Sequence, residues 1–179
     1  MSERNTFWNR AAKAGLVLGG VSVAYLAITF LMSLVSGEGF VLILMSIVKA
    51  LLWVAKLFGC IYLMKLFITR YDSRPLGEGE RRPSAFSFGC LVAFLSALIY
   101  SAFYMAYTLY LAPDMIDQVM EVYKTMPQFT SEMIEEIENM APKMPTLMFF
   151  TNLIYCTLFG VIVSAFCSGR SKSSNPFNE

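Results

Sequence analysis

The chain has 179 residues, 56% of them hydrophobic and only 15% charged, with a net charge of +1. That balance is too apolar for an ordinary soluble domain and fits a polytopic membrane protein. There is no histidine, which removes the commonest general base and the commonest metal ligand.

Residues 1–13, MSERNTFWNRAAK, are basic and aromatic. Phe7 and Trp8 suit the headgroup region, and Arg4, Arg10 and Lys13 suit the cytoplasmic side. The apolar run 14–35 is too long for a secretory signal, and no small-residue cleavage site follows it, so a retained first transmembrane helix is expected. Gly15, Gly19 and Gly20 make it a packing helix. The Gly15/Gly19 step allows another backbone to approach closely, within the chain or across a homodimer. Ser36-Gly37-Glu38-Gly39 reads as a tight turn.

The second run, 40–68, is long enough to cross a bilayer yet carries Lys49, Lys56 and Lys65. At 100° per residue Lys49, Trp53, Lys56 and Cys60 share one stripe, and Lys65 points away. A lysine at mid-helix costs about 2.5–3.5 kcal/mol, which the surrounding Leu, Ile, Val and Phe offset at about 0.3–0.6 kcal/mol each. Two lysines on one face predict a face that meets protein, water or a lipid headgroup.

A Pro-, Gly- and charge-rich cytoplasmic loop, 69–84, follows, with Arg70, Arg74, Arg81 and Arg82 placed to meet the inner leaflet. The third run, 85–111, ends in tyrosines. Tyr100, Tyr104 and Tyr107 repeat on one face, as an interfacial belt or as ligand-lining groups.

Residues 112–145 differ in kind. Pro113 and Asp114 start one short helix with Ile116, Val119, Met120 and Tyr123 on its apolar face, and Pro127 ends it. Thr130 or Ser131 caps a second, with Met133, Ile134, Ile137 and Met140 expected inward, before Pro142 and Pro145 close the segment. Both are amphipathic, suited to the membrane surface or the bundle mouth. A fourth apolar run spans 146–167, and GRSKSSNPFNE is a polar tail. The fold class is therefore all-α: a single membrane domain of four transmembrane helices, with two short amphipathic helices between the third and fourth.

Nine basic residues flank the N-terminal stretch, the 69–84 loop and the tail, against Lys124 and Lys143 in the 112–145 segment. The positive-inside rule then puts both termini in the cytoplasm and makes 112–145, with its seven acids, extracytoplasmic.

The opening FWNRAAKAGLVLGG, the stretch FSFGCLVAFLSALIYSAFYMAYTLYLAPDMIDQVMEVY, the proline-bounded acidic segment and the last-helix phrase LFGVIVSAF form one pattern. Over nearly the whole chain it resembles the bacterial membrane family called domain of unknown function 4199. The resemblance implies a small four-helix protein of the bacterial inner membrane without an assigned activity. It also implies a loose association with membrane glycosyltransferases that use polyprenyl-phosphate sugars. No catalytic residue is carried over.

The residues themselves offer little catalysis. HExxH, GxxxxGK[ST] and Cys/His pairings are missing, and the acids of 112–145 match no defined site. Cys60, Cys90, Cys156 and Cys167 sit in apolar stretches without a CxxC pair and read as buried small hydrophobes. Seven of the twelve methionines fall between Met115 and Met148, where adaptable packing outweighs Cu(I) binding. A non-enzymatic protein is expected, with no metal, cofactor or nucleic acid.

The lysine stripe is the sharper clue, because no Asp or Glu lies inside any of the four runs. Three fates stay open: snorkelling or bonding to carbonyls and tyrosines, holding a lipid anion, or pairing with a carboxylate of a partner membrane protein. The leading reading is an accessory or scaffold subunit holding lipid or partner through Lys49, Trp53 and Lys56. The alternative is a small carrier or flippase-like protein for an anionic lipid-linked substrate.

Overall fold

The structure, a computed structural model, describes residues 2–34, 40–73 and 83–172. The expected turn at 36–39, the arginines Arg74, Arg81 and Arg82, and the tail beyond Lys172 lie outside the described residues. Among those described there are six α-helices and no strand: α1 (Ser2–Ser33), α2 (Phe40–Asp72), α3 (Ala85–Ala106), α4 (Met115–Thr125), α5 (Ser131–Met140) and α6 (Met144–Lys172). Four stretches are long and apolar enough to cross a membrane: Thr6–Ser33, Ile43–Asp72, Ala85–Leu111 and Ser131–Gly169. In lipid the backbone has no water to bond, so such stretches satisfy themselves as helices.

The helix ends follow local chemistry. Ser84 caps α3, its Oγ accepting from the Ser87 amide at 3.1 Å. At the other end α3 widens into a π turn, Tyr107–Leu111, closed by the Ala112 amide donating to the Tyr107 carbonyl at 3.0 Å. Thr108 donates its hydroxyl to the Tyr104 carbonyl at 3.0 Å within that turn, and Pro113 lies just beyond it.

Thr130, not Ser131, caps α5, its Oγ1 accepting from the Met133 amide at 3.4 Å. Thr130→Ala is expected to cost about 1 kcal/mol of local helix stability. Hydrogen exchange should quicken across Ser131–Met140 while the melting temperature of the bundle stays unchanged.

Two expectations for this segment need correction. Met133 and Met140 are each 45% exposed, whereas Ile134 and Ile137 are the half-buried pair. The four side chains spread over about 120° of the helix, and the two methionines stand on the edge of that arc away from Ile134. Pro145 does not close the segment either. A short 3₁₀ turn, Ala141–Lys143, runs directly into α6, and Pro145 sits in the first turn of that helix, where a missing amide is harmless. The half-exposed Lys124 of α4 and Glu138 of α5 form an ion pair that ties the two short helices together. The hydrogen bond and charge of Glu138 hold the Lys124 ammonium above its ordinary pKa.

Aromatic contacts fix the direction of each long helix. Phe7 of α1 packs on Tyr71 of α2 and Phe88 of α3, each at 6.0 Å, and Tyr71 stacks on Phe88 at 4.2 Å. The Tyr71 hydroxyl donates to the Pro83 carbonyl at 3.0 Å. At the opposite end Phe30 meets Tyr107 at 5.6 Å. The start of α1, the end of α2 and the start of α3 therefore share one end of the bundle, here called the terminal end. Ser164 brings the last turns of α6 to the same end by donating to the Phe86 carbonyl at 3.1 Å.

Helix α3 is the centre of the bundle, and small residues let its neighbours approach. A Cβ on Gly15 would lie 2.8 Å from the Cβ of Leu95, and one on Gly19 3.0 Å from that of Ile99. This is the close approach a GxxxG step permits, and here it is made within the chain. Gly20 faces open space. On the other flank, a Cβ on Gly89 would collide with Ser164, and one on Gly160 with Ala93.

The buried core (Ala11, Ala14, Leu18, Met64, Ile68, Tyr71, Phe88, Val92 and Ala93) lies toward the terminal end. The first half of α2 is different: Phe40, Ile43, Ile47 and Leu51 are more than half uncovered by protein. That unequal packing positions the site.

Candidate functional site

Where the closely packed half of α2 gives way to the uncovered half, a cavity of about 160 Å3 opens between the four long helices. Its walls are mostly apolar, from Leu18, Met64, Ala93 and Phe159 among others, with Ser22, Cys60, Ser96 and Cys156 adding weak polar groups. Lys56 supplies its single charge. A space of about this size accommodates one small ring or a group of similar bulk.

The Lys56 ammonium lies over two tyrosine rings, 4.4 Å from the centroid of Tyr100 on α3 and 4.8 Å from that of Tyr25 on α1. A ring face is electron-rich, so each contact is worth about 0.5–2 kcal/mol to the cation. That is less than a carboxylate would give, and the four apolar runs contain none. The Ile43–Asp72 stretch has 30 residues. At 1.5 Å per residue it is about 45 Å long, which places Lys56 near mid-depth. The site is thus a cation held by aromatic faces beside an apolar cavity.

The lysine stripe divides. Trp53, Lys56 and Cys60 line the cavity, Trp53 at its rim with 54% of its surface exposed. Lys49, two turns earlier, is half-buried and not in the wall, and Lys65 is exposed. Tyr100, Tyr104 and Tyr107 form a ladder with ring centroids 6.1 Å apart at each step, leading from Lys56 to Phe30. Arg70 is exposed at the end of α2. The four cysteines are free and partly buried. Ser22 Oγ and Cys60 Sγ sit 4.0 Å apart on the cavity wall. Among the described residues no cluster of His, Cys, Asp and Glu is suited to a metal ion.

Sequence reasoning missed Tyr25, the second ring on Lys56, although it is the one tyrosine of the first run. It also missed Gly89, Ala93, Gly160 and Ser164. Their four-residue spacing of small side chains is the same signal that singled out Gly15 and Gly19.

Fold and site together define a polytopic, all-α membrane protein built as an up-and-down four-helix bundle with an aromatic-held lysine at its middle. Residues 13–168 match the family described as "Protein of unknown function (DUF4199)". The chain belongs to that family. A search of curated proteins found no match, and a search of solved structures found none either.

Proposed function

We propose that this protein is a non-enzymatic accessory protein of the bacterial inner membrane that holds the anionic head of a membrane lipid at Lys56. The observation that carries this reading is a mid-depth ammonium that borders a cavity and lies over two tyrosine rings. A phosphate or carboxylate entering the cavity replaces weak quadrupole contacts with a charge-assisted hydrogen bond in a low-dielectric setting, where such bonds are strongest. The apolar walls and the exposed rim at Trp53 and Tyr155 suit a ligand whose tail stays in the bilayer. The excess of basic residues in the N-terminal stretch, the 69–84 loop and the tail supports cytoplasmic termini. Polyprenyl phosphates and anionic phospholipids share the required headgroup.

Native mass spectrometry from gentle detergent tests the reading. Wild type and Lys49→Met are expected to retain an anionic lipid, and Lys56→Met to lose at least about nine-tenths of it, the effect of deleting a buried charge partner. Equal retention by all three would remove Lys56 as the binding group. Loss of a bound protein instead would point to the partner-subunit reading.

The depth of Lys56 favours a second reading, a small carrier for the same lipid, because midplane sites are where transported groups pause. Acyl-labelled phosphatidylglycerol in proteoliposomes separates the two. A carrier moves the label between leaflets, and an accessory protein leaves it where it was inserted.

A further inference from the structure

The cavity is closed along α1 and α3 and open along another side. Leu18, Ser22, Ala93, Ser96 and Ala97, its walls from those two helices, each keep no more than 8% of their surface exposed. Its other rim is uncovered, with Trp53 of α2 at 54%, Tyr155 of α6 at 68% and Phe159 of α6 at 37%. The opening is therefore a seam between α2 and α6, which run in the same direction. Nearer the terminal end the two helices meet, since a Cβ on Gly160 would lie 4.0 Å from the Met64 Cε. One turn further from that end, Cys60 and Cys156 line the cavity from α2 and α6 in turn.

The depth of the seam decides what can pass. Trp53 to Ile61 lies about 15–27 Å along a stretch about 45 Å long, so the opening faces acyl chains and not headgroups. Tryptophan and tyrosine normally gather at the two membrane interfaces, and a pair at mid-depth does not belong to that belt.

We infer that the Lys56 cavity is loaded sideways from the acyl layer, through the α2–α6 seam that Trp53 and Tyr155 frame, by an anionic lipid whose chain stays in that seam. This rests on Lys56 binding the anion, and adds the route and the source. A membrane lipid already has its chain at this depth, so only the head is drawn in, and Lys56 stands about one turn from Trp53 to receive it. A free phosphate would have to cross hydrocarbon with its charge unpaired to reach the same opening. The seam thus selects lipid over ion by route, before any contact with Lys56.

Native thiols report on both points, because Cys60 and Cys156 line the cavity and Cys90 and Cys167 do not. In phosphatidylcholine proteoliposomes, N-ethylmaleimide, which is uncharged and lipid-soluble, is expected to alkylate Cys60 and Cys156. A sulfonated maleimide present on both sides should react with them at least about fiftyfold more slowly, the ratio set by carrying one charge into the bilayer. Phosphatidate should protect both thiols from N-ethylmaleimide, leave Cys90 and Cys167 unchanged, and lose its effect in Lys56→Met. Inorganic phosphate at matching concentration should protect neither. With the bulkier N-pyrenylmaleimide, Tyr155→Ala is expected to speed alkylation of both thiols by about fivefold. Tyr62→Ala, which removes an exposed ring of α2 outside the cavity, should leave that rate unchanged.

Equal reaction with the charged and uncharged maleimides, or equal effects of Tyr155→Ala and Tyr62→Ala, would overturn the seam, and protection by phosphatidate would still mark Lys56 as a binding site. Protection by inorganic phosphate would overturn the lipid source. Thiols that phosphatidate does not protect in wild type fail at Lys56 itself, and both readings fall together.

Discussion

Gly89→Ala is expected to lower the melting temperature of the purified protein more than a methyl added anywhere else on α1 or α3. The new Cβ would meet the Ser164 hydroxyl and would lie 2.8 Å from the Ser164 Cβ and 2.9 Å from the Ile68 Cδ1. Real Cβ atoms do not come that close, so α3 and α6 must separate. Separation also breaks the bond from Ser164 to the Phe86 carbonyl, made at 3.1 Å with Ser164 fully buried. Overpacking of this kind costs about 1–3 kcal/mol, and a broken buried hydrogen bond adds about 1 kcal/mol. Gly20→Ala is the matched control: its Cβ would point into open space, and alanine favours the helix, so it should be neutral or slightly stabilising. Ser164→Ala in the Gly89→Ala background should recover part of the loss, because the hydroxyl is the first atom struck and the two effects are therefore not additive. Equal melting temperatures for Gly89→Ala and Gly20→Ala would mean that α3 and α6 do not cross at these residues.

How much of this was legible beforehand depends on which physical term decides each feature. The spans were legible because bilayer-length apolar runs in lipid have one cheap backbone solution, the helix. The third run shows how closely this works, since the expected 85–111 coincides with the stretch Ala85–Leu111 that includes the π turn. The caps and breaks of the short helices followed from Pro127 and Thr130, whose effects are local.

Helix-to-helix register was not legible, because it is set by small residues on two helices at once. One can see that Gly15 and Gly19 admit a neighbour, but not that the neighbour is Leu95 and Ile99. The lysines show the same limit. Periodicity puts Lys49 and Lys56 on one stripe, and only the reach of the cavity, whose wall on α2 runs from Trp53 to Met64, separates a lining lysine from one outside it.

Lys56→Met is expected to stabilise the lipid-free protein and to destabilise it relative to wild type once lipid is added. Without lipid, the ammonium sits near mid-depth at a cost of about 2.5–3.5 kcal/mol, against about 0.5–2 kcal/mol returned by each ring contact. Methionine has similar length, no charge and a flexible apolar chain that can fill the space beside Tyr25 and Tyr100. A gain of about 1 kcal/mol is the expected net. With anionic lipid at about a hundred times its dissociation constant, wild type gains about 2.7 kcal/mol by mass action, and the variant gains nothing. The order of the two melting curves should therefore reverse between delipidated detergent and detergent with added phosphatidate. A lysine kept only to pack the tyrosines would give the opposite pattern, with the variant less stable in both conditions by the loss of two cation–ring contacts. A lysine that merely reached for the interface would give two curves that move together. Only a site that carries a buried charge for the sake of a ligand makes the curves cross.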